Sequence, residues 1–197
     1  MSAGFKYDVV PEPSIEERYD VQSGVRRRGA YKLDTTNLNV GDYLPSFTPI
    51  AANLKTKVCV PVRNVKVIEA YATGAEALAI KIAKNSLAYA GMFIGNGSKG
   101  AQVSAIDKSN AGYDVLTIAA AFGANIAKDA VLFEAAAVSG TTPKNVANSA
   151  LFERKKIESG INLIALLMRA FEIEPDKLVI PFSDKDKANL PHFQFNE

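Results

Sequence analysis

The sequence has one cysteine, one histidine and no tryptophan in 197 residues. The single thiol, Cys59, excludes an intramolecular disulfide framework and any cysteine-rich zinc site. The single imidazole, His192, excludes multi-histidine metal centres. Net charge is also small: 23 Lys and Arg stand against 21 Asp and Glu, a balance of +2. That excludes a strongly basic nucleic-acid coat and a long acidic tail. Long apolar runs are missing as well. The longest, at 118–124 and 163–168, fall far short of a membrane span. The first ten residues hold no apolar stretch of signal-peptide length, so folding in a reducing cytoplasm is expected. In that compartment the sequon Asn96-Gly97-Ser98 carries no meaning. What is present is a hydrophobic content of 48%, which excludes wholesale disorder.

Three regions differ in texture. Residues 1–60 hold four of the nine prolines (Pro11, Pro13, Pro45 and Pro49), mixed charges and few periodic apolar runs. Ser14 with Glu17 three residues later can cap a short helix. Beyond it Gly24, Gly29, Asn37, Asn39 and Gly41 punctuate the chain. This region reads as an extended arm with short strands, docked on its own core or on a neighbour. Residues 61–145 read as a compact β module. Strands are expected near Val65, at Leu78-Ala-Ile80-Lys-Ile82, at Met92-Phe-Ile94 and at 131–136. A hairpin is expected from 101–107 and 113–119 around Ser109-Asn-Ala-Gly112. Twenty-two alanines between 70 and 150 pull the other way, and 75–90 can be drawn as a helix. Alternating β-branched residues and the glycines favour strands. Residues 146–197 are expected to form C-terminal strands and, from Pro175, an extended tail. Residues 160–173 fit both periods: Ile164, Leu167, Met168 and Phe171 make a helical stripe, while alternation also holds apart from Arg169. The fold class is mainly β: a small barrel or sandwich core with an extended N-terminal arm and a possible helix at 160–173.

Candidate chemistry is sparse. Gly95-Asn-Gly97-Ser-Lys-Gly100 matches G-x-G-x-x-G, but the following Ala-Gln-Val-Ser-Ala-Ile reads as strand, and a dinucleotide site needs a helix there. A glycine-rich hairpin loop is the better reading. Arg26, Arg27 and Arg28 can hold phosphates, an acidic protein surface, or water only. Glu172, Glu174, Asp176, Asp184 and Asp186 could pair for hydrolysis or gather calcium. They alternate with Lys177, Lys185 and Lys187, as an exposed strand or loop would, and no calcium-loop spacing occurs. His192 has no nucleophile motif beside it, and Cys59 lies in an apolar run as a small hydrophobe. No cofactor or metal site is expected.

The order of segments carries a resemblance. Gly41-Asp-Tyr-Leu-Pro45-Ser-Phe-Thr-Pro49-Ile50 resembles the lead-in segment of tailed-phage head fiber and capsid decoration proteins. The strand around Val65-Lys-Val-Ile-Glu, the block Ala79-Ile-Lys-Ile-Ala-Lys-Asn with Gly91-Met-Phe-Ile-Gly, and Asn148-Ser-Ala-Leu-Phe-Glu followed by a long apolar strand are similar to theirs. So is the ending Lys187-Ala-Asn-Leu190-Pro191. The match runs from 40 to 195 and selects strand for 160–173. It implies a non-enzymatic oligomeric virion protein, made in the host cytoplasm and placed on the head surface. Its implied partners are the major capsid protein and copies of itself, without membrane, nucleic acid or small-molecule substrate. Arg26, Arg27, Arg28, Leu44, Pro45, Phe47, Pro49 and Ile50 are the expected contact residues. A carbohydrate- or receptor-binding module of a tail or fiber is the alternative, with Tyr71, Tyr89 and Tyr113 as its aromatic platforms. A small hydrolase relying on Asp184 is a further one.

Overall fold

Short strands dominate because apolar residues alternate over only three to eight positions before a turn residue intervenes. The computed structural model describes residues 18–74 and 77–196. The first five strands are β1 (Asp20–Arg26), β2 (Tyr31–Leu33), β3 (Tyr43–Leu44), β4 (Pro49–Asn53) and β5 (Val58–Pro61). The next six are β6 (Val65–Lys66), β7 (Ala79–Ala83), β8 (Phe93–Gly95), β9 (Gly100–Asp107), β10 (Tyr113–Ile118) and β11 (Val131–Ala135). The last five are β12 (Ser149–Leu151), β13 (Lys155–Lys156), β14 (Asn162–Ile164), β15 (Leu166–Ile173) and β16 (Phe193–Phe195).

The middle six form one sheet in the order β6-β11-β8-β9-β10-β7. It curls until its ends meet: Val67 bridges Ile82, and the Ile68 amide donates to the Lys81 carbonyl at 3.1 Å. The result is a nearly closed barrel filled by Val65, Ile80, Ile82, Ile94, Val103, Leu116, Ile118 and Leu132. The expected β9–β10 hairpin is present, with Asp107 Oδ1 and Asn110 Oδ1 accepting from the Ser109 and Gly112 amides in its loop. The helix drawn through 75–90 gives way to β7, whose Ile80 and Ile82 point into the barrel while Lys81 faces out.

The outer strands form an eight-stranded half-barrel in the order β1-β15-β12-β4-β5-β2-β14, with β16 added beside β15. β3 and β13 make a separate two-stranded ribbon. Along β12 and β15 successive side chains enter different cores. Leu151 and Leu166 join Tyr31, Leu33, Ile50 and Cys59 on one face. Ala150 and Leu167 join Phe47, Phe182, Leu190 and Phe193 on the other. Burial on both faces explains why 160–173 fits two periods. The helical option fails because β15 pairs with β1 on one side and with β12 and β16 on the other, giving its backbone partners from both sides.

Two further expectations are refined. Over 18–61 the expected short strands are present and dock on the chain's own core, four in the half-barrel and β3 in the ribbon, with Tyr31, Leu33, Leu44, Ile50 and Cys59 buried. Its strands find partners far along the chain, such as Asp20 opposite Phe171, and no local pattern announces them. The helix cap at Ser14 lies outside the described residues. The tail from Pro175 is not extended throughout. It makes a 3-10 turn at Pro175–Lys177 and a short helix α1 (Asp184–Ala188). Ser183 and Asp186 form a capping box that starts α1, an arrangement the flanking prolines obscure in the sequence.

The chain passes between the two sheets at 61–65. Arg63 is 3% exposed there and donates to the Thr36 carbonyl of the half-barrel side. Its guanidinium lies 3.5 Å from Glu134 on β11 of the barrel, itself 3% exposed. Glu134 also receives Tyr89 Oη at 2.7 Å and Lys144 Nζ at 2.9 Å, and this contact holds the Lys144 ammonium above its ordinary pKa. Beside Arg63, the buried Asn64 donates to the Pro181 carbonyl and to Asp186 Oδ2. Two adjacent polar side chains thus fix the barrel and the C-terminal segment to one connection.

Candidate docking surfaces

The arginine triplet lies at the end of edge strand β1, and the structure separates its members. Arg26 is exposed and stacks on the Phe152 ring at 4.9 Å. Arg27 turns inward: its Nε donates to Ser149 Oγ at 2.8 Å and its Nη2 to the Asn148 carbonyl at 3.1 Å. Arg28 is exposed in the turn before Gly29, whose φ of 82° suits glycine. Arg26 and Arg28 therefore remain available to a partner surface, while Arg27 braces β12.

The Leu44–Ile50 stretch divides differently. Leu44, Phe47, Pro49 and Ile50 are buried in the chain's own cores. Only Pro45 is partly exposed among the five expected contact residues of this stretch. The sequence suggested contact because Leu-Pro and Thr-Pro break regular structure. The same breaks let the chain double back into the half-barrel. Thr48 Oγ1 donates to the Pro45 carbonyl at 2.7 Å and closes the turn. Phe47 sits in that turn at φ 62°, an uncommon conformation for a bulky residue. Its amide donates to the Leu151 carbonyl, and its ring packs against Tyr19, Phe182 and Phe193.

Leu44, Pro45 and Phe47 form part of the wall of a cleft of about 670 Å³ at the seam of the two sheets. The half-barrel side contributes Arg18, Tyr19, Val21, residues 37–39 and 41–47, Arg154 and Ile157. The barrel contributes Asn85 to Ala88 and Lys108, and the tail adds Val179. Arg154 stacks on the Tyr43 ring at 3.7 Å, and Lys156 approaches the same ring at 5.9 Å. Arg18 donates to the Ser46 carbonyl at 2.9 Å. The Tyr19 hydroxyl is pushed above its ordinary pKa by burial. Of this lining the sequence singled out only Leu44, Pro45 and Phe47, as contact residues; the rest comes from separated stretches of chain.

The remaining candidates resolve into structural roles. Gly95 and Gly100 are the feet of the β8–β9 hairpin, followed by strand and not by helix, which removes the dinucleotide reading. Asn96 Oδ1 accepts the Ser98 and Lys99 amides in its loop. A Cβ on Gly95 or Gly100 would run into the backbone of Gly140, so those glycines permit a close chain crossing. Tyr71 is 5% exposed in the barrel core, and Tyr89 is tied to Glu134, so neither is an open aromatic platform. Tyr113 is half-buried with Lys81 at 5.4 Å from its ring.

The acidic tail is likewise dispersed. Asp184 is exposed, Asp176 pairs with Lys66 at 2.9 Å, and Glu174 accepts from Asn196. Asp186 is not on an exposed strand or loop; it is 1% exposed and receives the Ala147 amide at 2.7 Å, Asn64 Nδ2 at 2.7 Å and both Ser183 donors. His192 is exposed, and its carbonyl accepts from Ala170. Burial pushes the Cys59 thiol up to about 12. Among the described residues no cluster of three or more His, Cys, Asp or Glu could hold a metal ion. No helix among them is long and apolar enough to cross a membrane.

Two cross-braced β sheets, joined at 61–65, with a cleft at their seam define a protein of mainly β architecture. The chain belongs to the phage head fiber family: the family model described as "Head fiber protein" matches residues 1–196. Neither a curated protein nor a solved structure matches it. Family and fold together make it a bacteriophage structural protein of mainly β architecture.

Proposed function

We propose that this chain is a non-enzymatic component of the head surface, binding the major capsid protein and further copies of itself as a decoration or head fiber protein. The head fiber family match over 1–196 carries the reading. The geometry is compatible with it. Among the described residues, the tail carboxylates, the thiol and the imidazole have separate structural settings. A lattice protein gains its hold from many repeated weak contacts, which suits exposed side chains on a braced scaffold. Synthesis in the host cytoplasm fits the lone buried thiol.

Arg26 and Arg28 at the β1 edge, with Pro45 nearby in the contact set, are the residues proposed to meet the capsid. Their test is particle incorporation of the paired substitutions Arg26→Glu and Arg28→Glu. Incorporation is expected to fall about tenfold, the effect of losing roughly 1.4 kcal/mol at each site of attachment. The melting temperature should change little, because the hydrogen bonds to β12 come from Arg27, and Arg26 loses only an exposed stack on Phe152. Wild-type incorporation of the double variant would remove the β1 edge from the contact surface. A deletion that tests the arm should stop at residue 17, since cutting to 40 also removes β1 and β2.

A further inference from the structure

The glycine-rich loop from Gly95 to Gly100 is a hairpin and not a nucleotide cradle, and it holds the only Asn-Gly pair in the sequence, Asn96-Gly97. Such a pair is prone to deamidation, because glycine sets no side chain in the way of its own amide nitrogen. Both residues are exposed, so water reaches them. Asn96 Oδ1 accepts from the Ser98 amide at 2.9 Å, from Ser98 Oγ at 3.0 Å and from the Lys99 amide at 2.8 Å. These three donors polarise the side-chain carbonyl and would stabilise the oxyanion formed by attack on its carbon. The attacking group in deamidation is the Gly97 amide nitrogen. Here it is engaged elsewhere, donating to the Gly140 carbonyl at 3.0 Å. That acceptor is held in place by a close crossing of chains, where neither Gly100 nor Gly140 has room for a Cβ.

We propose that Asn96-Gly97 is a latent deamidation site that the Gly140 crossing keeps closed. When the crossing opens, the Gly97 nitrogen gives up its proton to water and bonds to the Asn96 side-chain carbon. The bond from that carbon to Nδ2 breaks, and ammonia leaves with the proton. Water then opens the cyclic imide at either carbonyl, leaving aspartate or isoaspartate. Water is the only co-reactant, and nothing is oxidised or reduced. Isoaspartate puts one extra carbon into the main chain. It does so where the Asn96 amide donates to the Lys99 carbonyl and where Gly95 pairs with Gly100. The product therefore loosens the β8–β9 hairpin and adds a negative charge to its loop. The inference is independent of the virion reading, since it rests on this loop and its crossing alone.

The experiment incubates the full-length protein at mildly alkaline pH and follows Asn96 by peptide mapping and mass spectrometry. Native chain, chain unfolded in urea, and the variant Gly140→Ala are compared. The native chain should deamidate slowly and the unfolded chain fast. Gly140→Ala should react about 30-fold faster than the native chain, the factor by which about 2 kcal/mol raises the open population. A second reading does not require the variant to fold. In the wild-type chain, over urea concentrations below the unfolding transition, hydrogen exchange of the Gly97 amide and deamidation of Asn96 should accelerate together. Native chain that deamidates as fast as unfolded chain would overturn the proposal. So would deamidation that does not follow Gly97 exchange, or a folded Gly140→Ala variant that reacts no faster than wild type.

Discussion

The barrel and the half-barrel use the same alphabet of short alternating strands, yet their wiring differs. In the barrel, β8, β9 and β10 follow one another as antiparallel hairpins. In the half-barrel, β1 pairs with β15 and β4 with β12, so most of the chain must be in place before the sheet closes. Bringing distant strands together costs loop-closure entropy before any contact repays it, so the half-barrel depends on long-range packing and the barrel much less. The buried Arg63–Glu134 pair spans the two and braces one against the other.

The largest break in that comparison should come from Arg63→Ala. It leaves Glu134 buried with only Lys144 and Tyr89 as partners and strips the Thr36 carbonyl of its donor. The expected loss is about 3–5 kcal/mol, lowering the melting temperature by roughly 10 °C in a chain this size. Circular dichroism melts should also change from one transition to two, as barrel and half-barrel part. A single transition with an unaltered midpoint would show that the seam does not couple them.

Gly140→Ala should act on the barrel alone and more weakly. Gly140 has φ 69°, and an added Cβ would strike the backbone of Lys99 and Gly100 at the foot of the β8–β9 hairpin. A cost of about 2 kcal/mol is expected, read as lost hydrogen-exchange protection in β8 and β9 with β4 and β12 retained. Equal loss in both sheets would contradict the separation drawn here.

The smallest effect is the sharpest probe of the half-barrel. Cys59 is fully buried and its thiol is pushed up to about 12, against about 8.5 in an unfolded chain. Because the folded value is raised, the thiol's contribution to stability is complete below about pH 8.5 and is lost as pH climbs from there toward 12. Native protein at pH 8 should resist iodoacetamide and react at once on unfolding. Ready labelling of the native chain would mean that β5 opens locally.

The same contrast explains what could be read from the sequence. Ile80 and Ile82, the β9–β10 hairpin and the strand before the Gly95 loop were legible, because alternation and turn residues lie next to the strands they specify. The role of 18–60 was not, since β2 and β3 span only three and two residues and their pairings are non-local. Phe47 and Ile50 looked like a contact segment for the same reason that they are core: a proline-broken stretch is free to turn back. Asp186 looked like one of several solvated acids, and only the folded tail brings it against Asn64 and the Ala147 amide. Of the cleft, only the Leu44–Phe47 part of the wall stood out, and the residues opposite it left no local trace. The family resemblance was legible in segment order, and the head fiber match extends it across 1–196.

The central claim is that this chain sits on the phage head in many copies. Quantitative mass spectrometry of purified particles tests it most directly, by counting the chain against the major capsid protein. A copy number that scales with the shell protein is the predicted result. A handful of copies per particle, or none, would contradict the head-surface assignment.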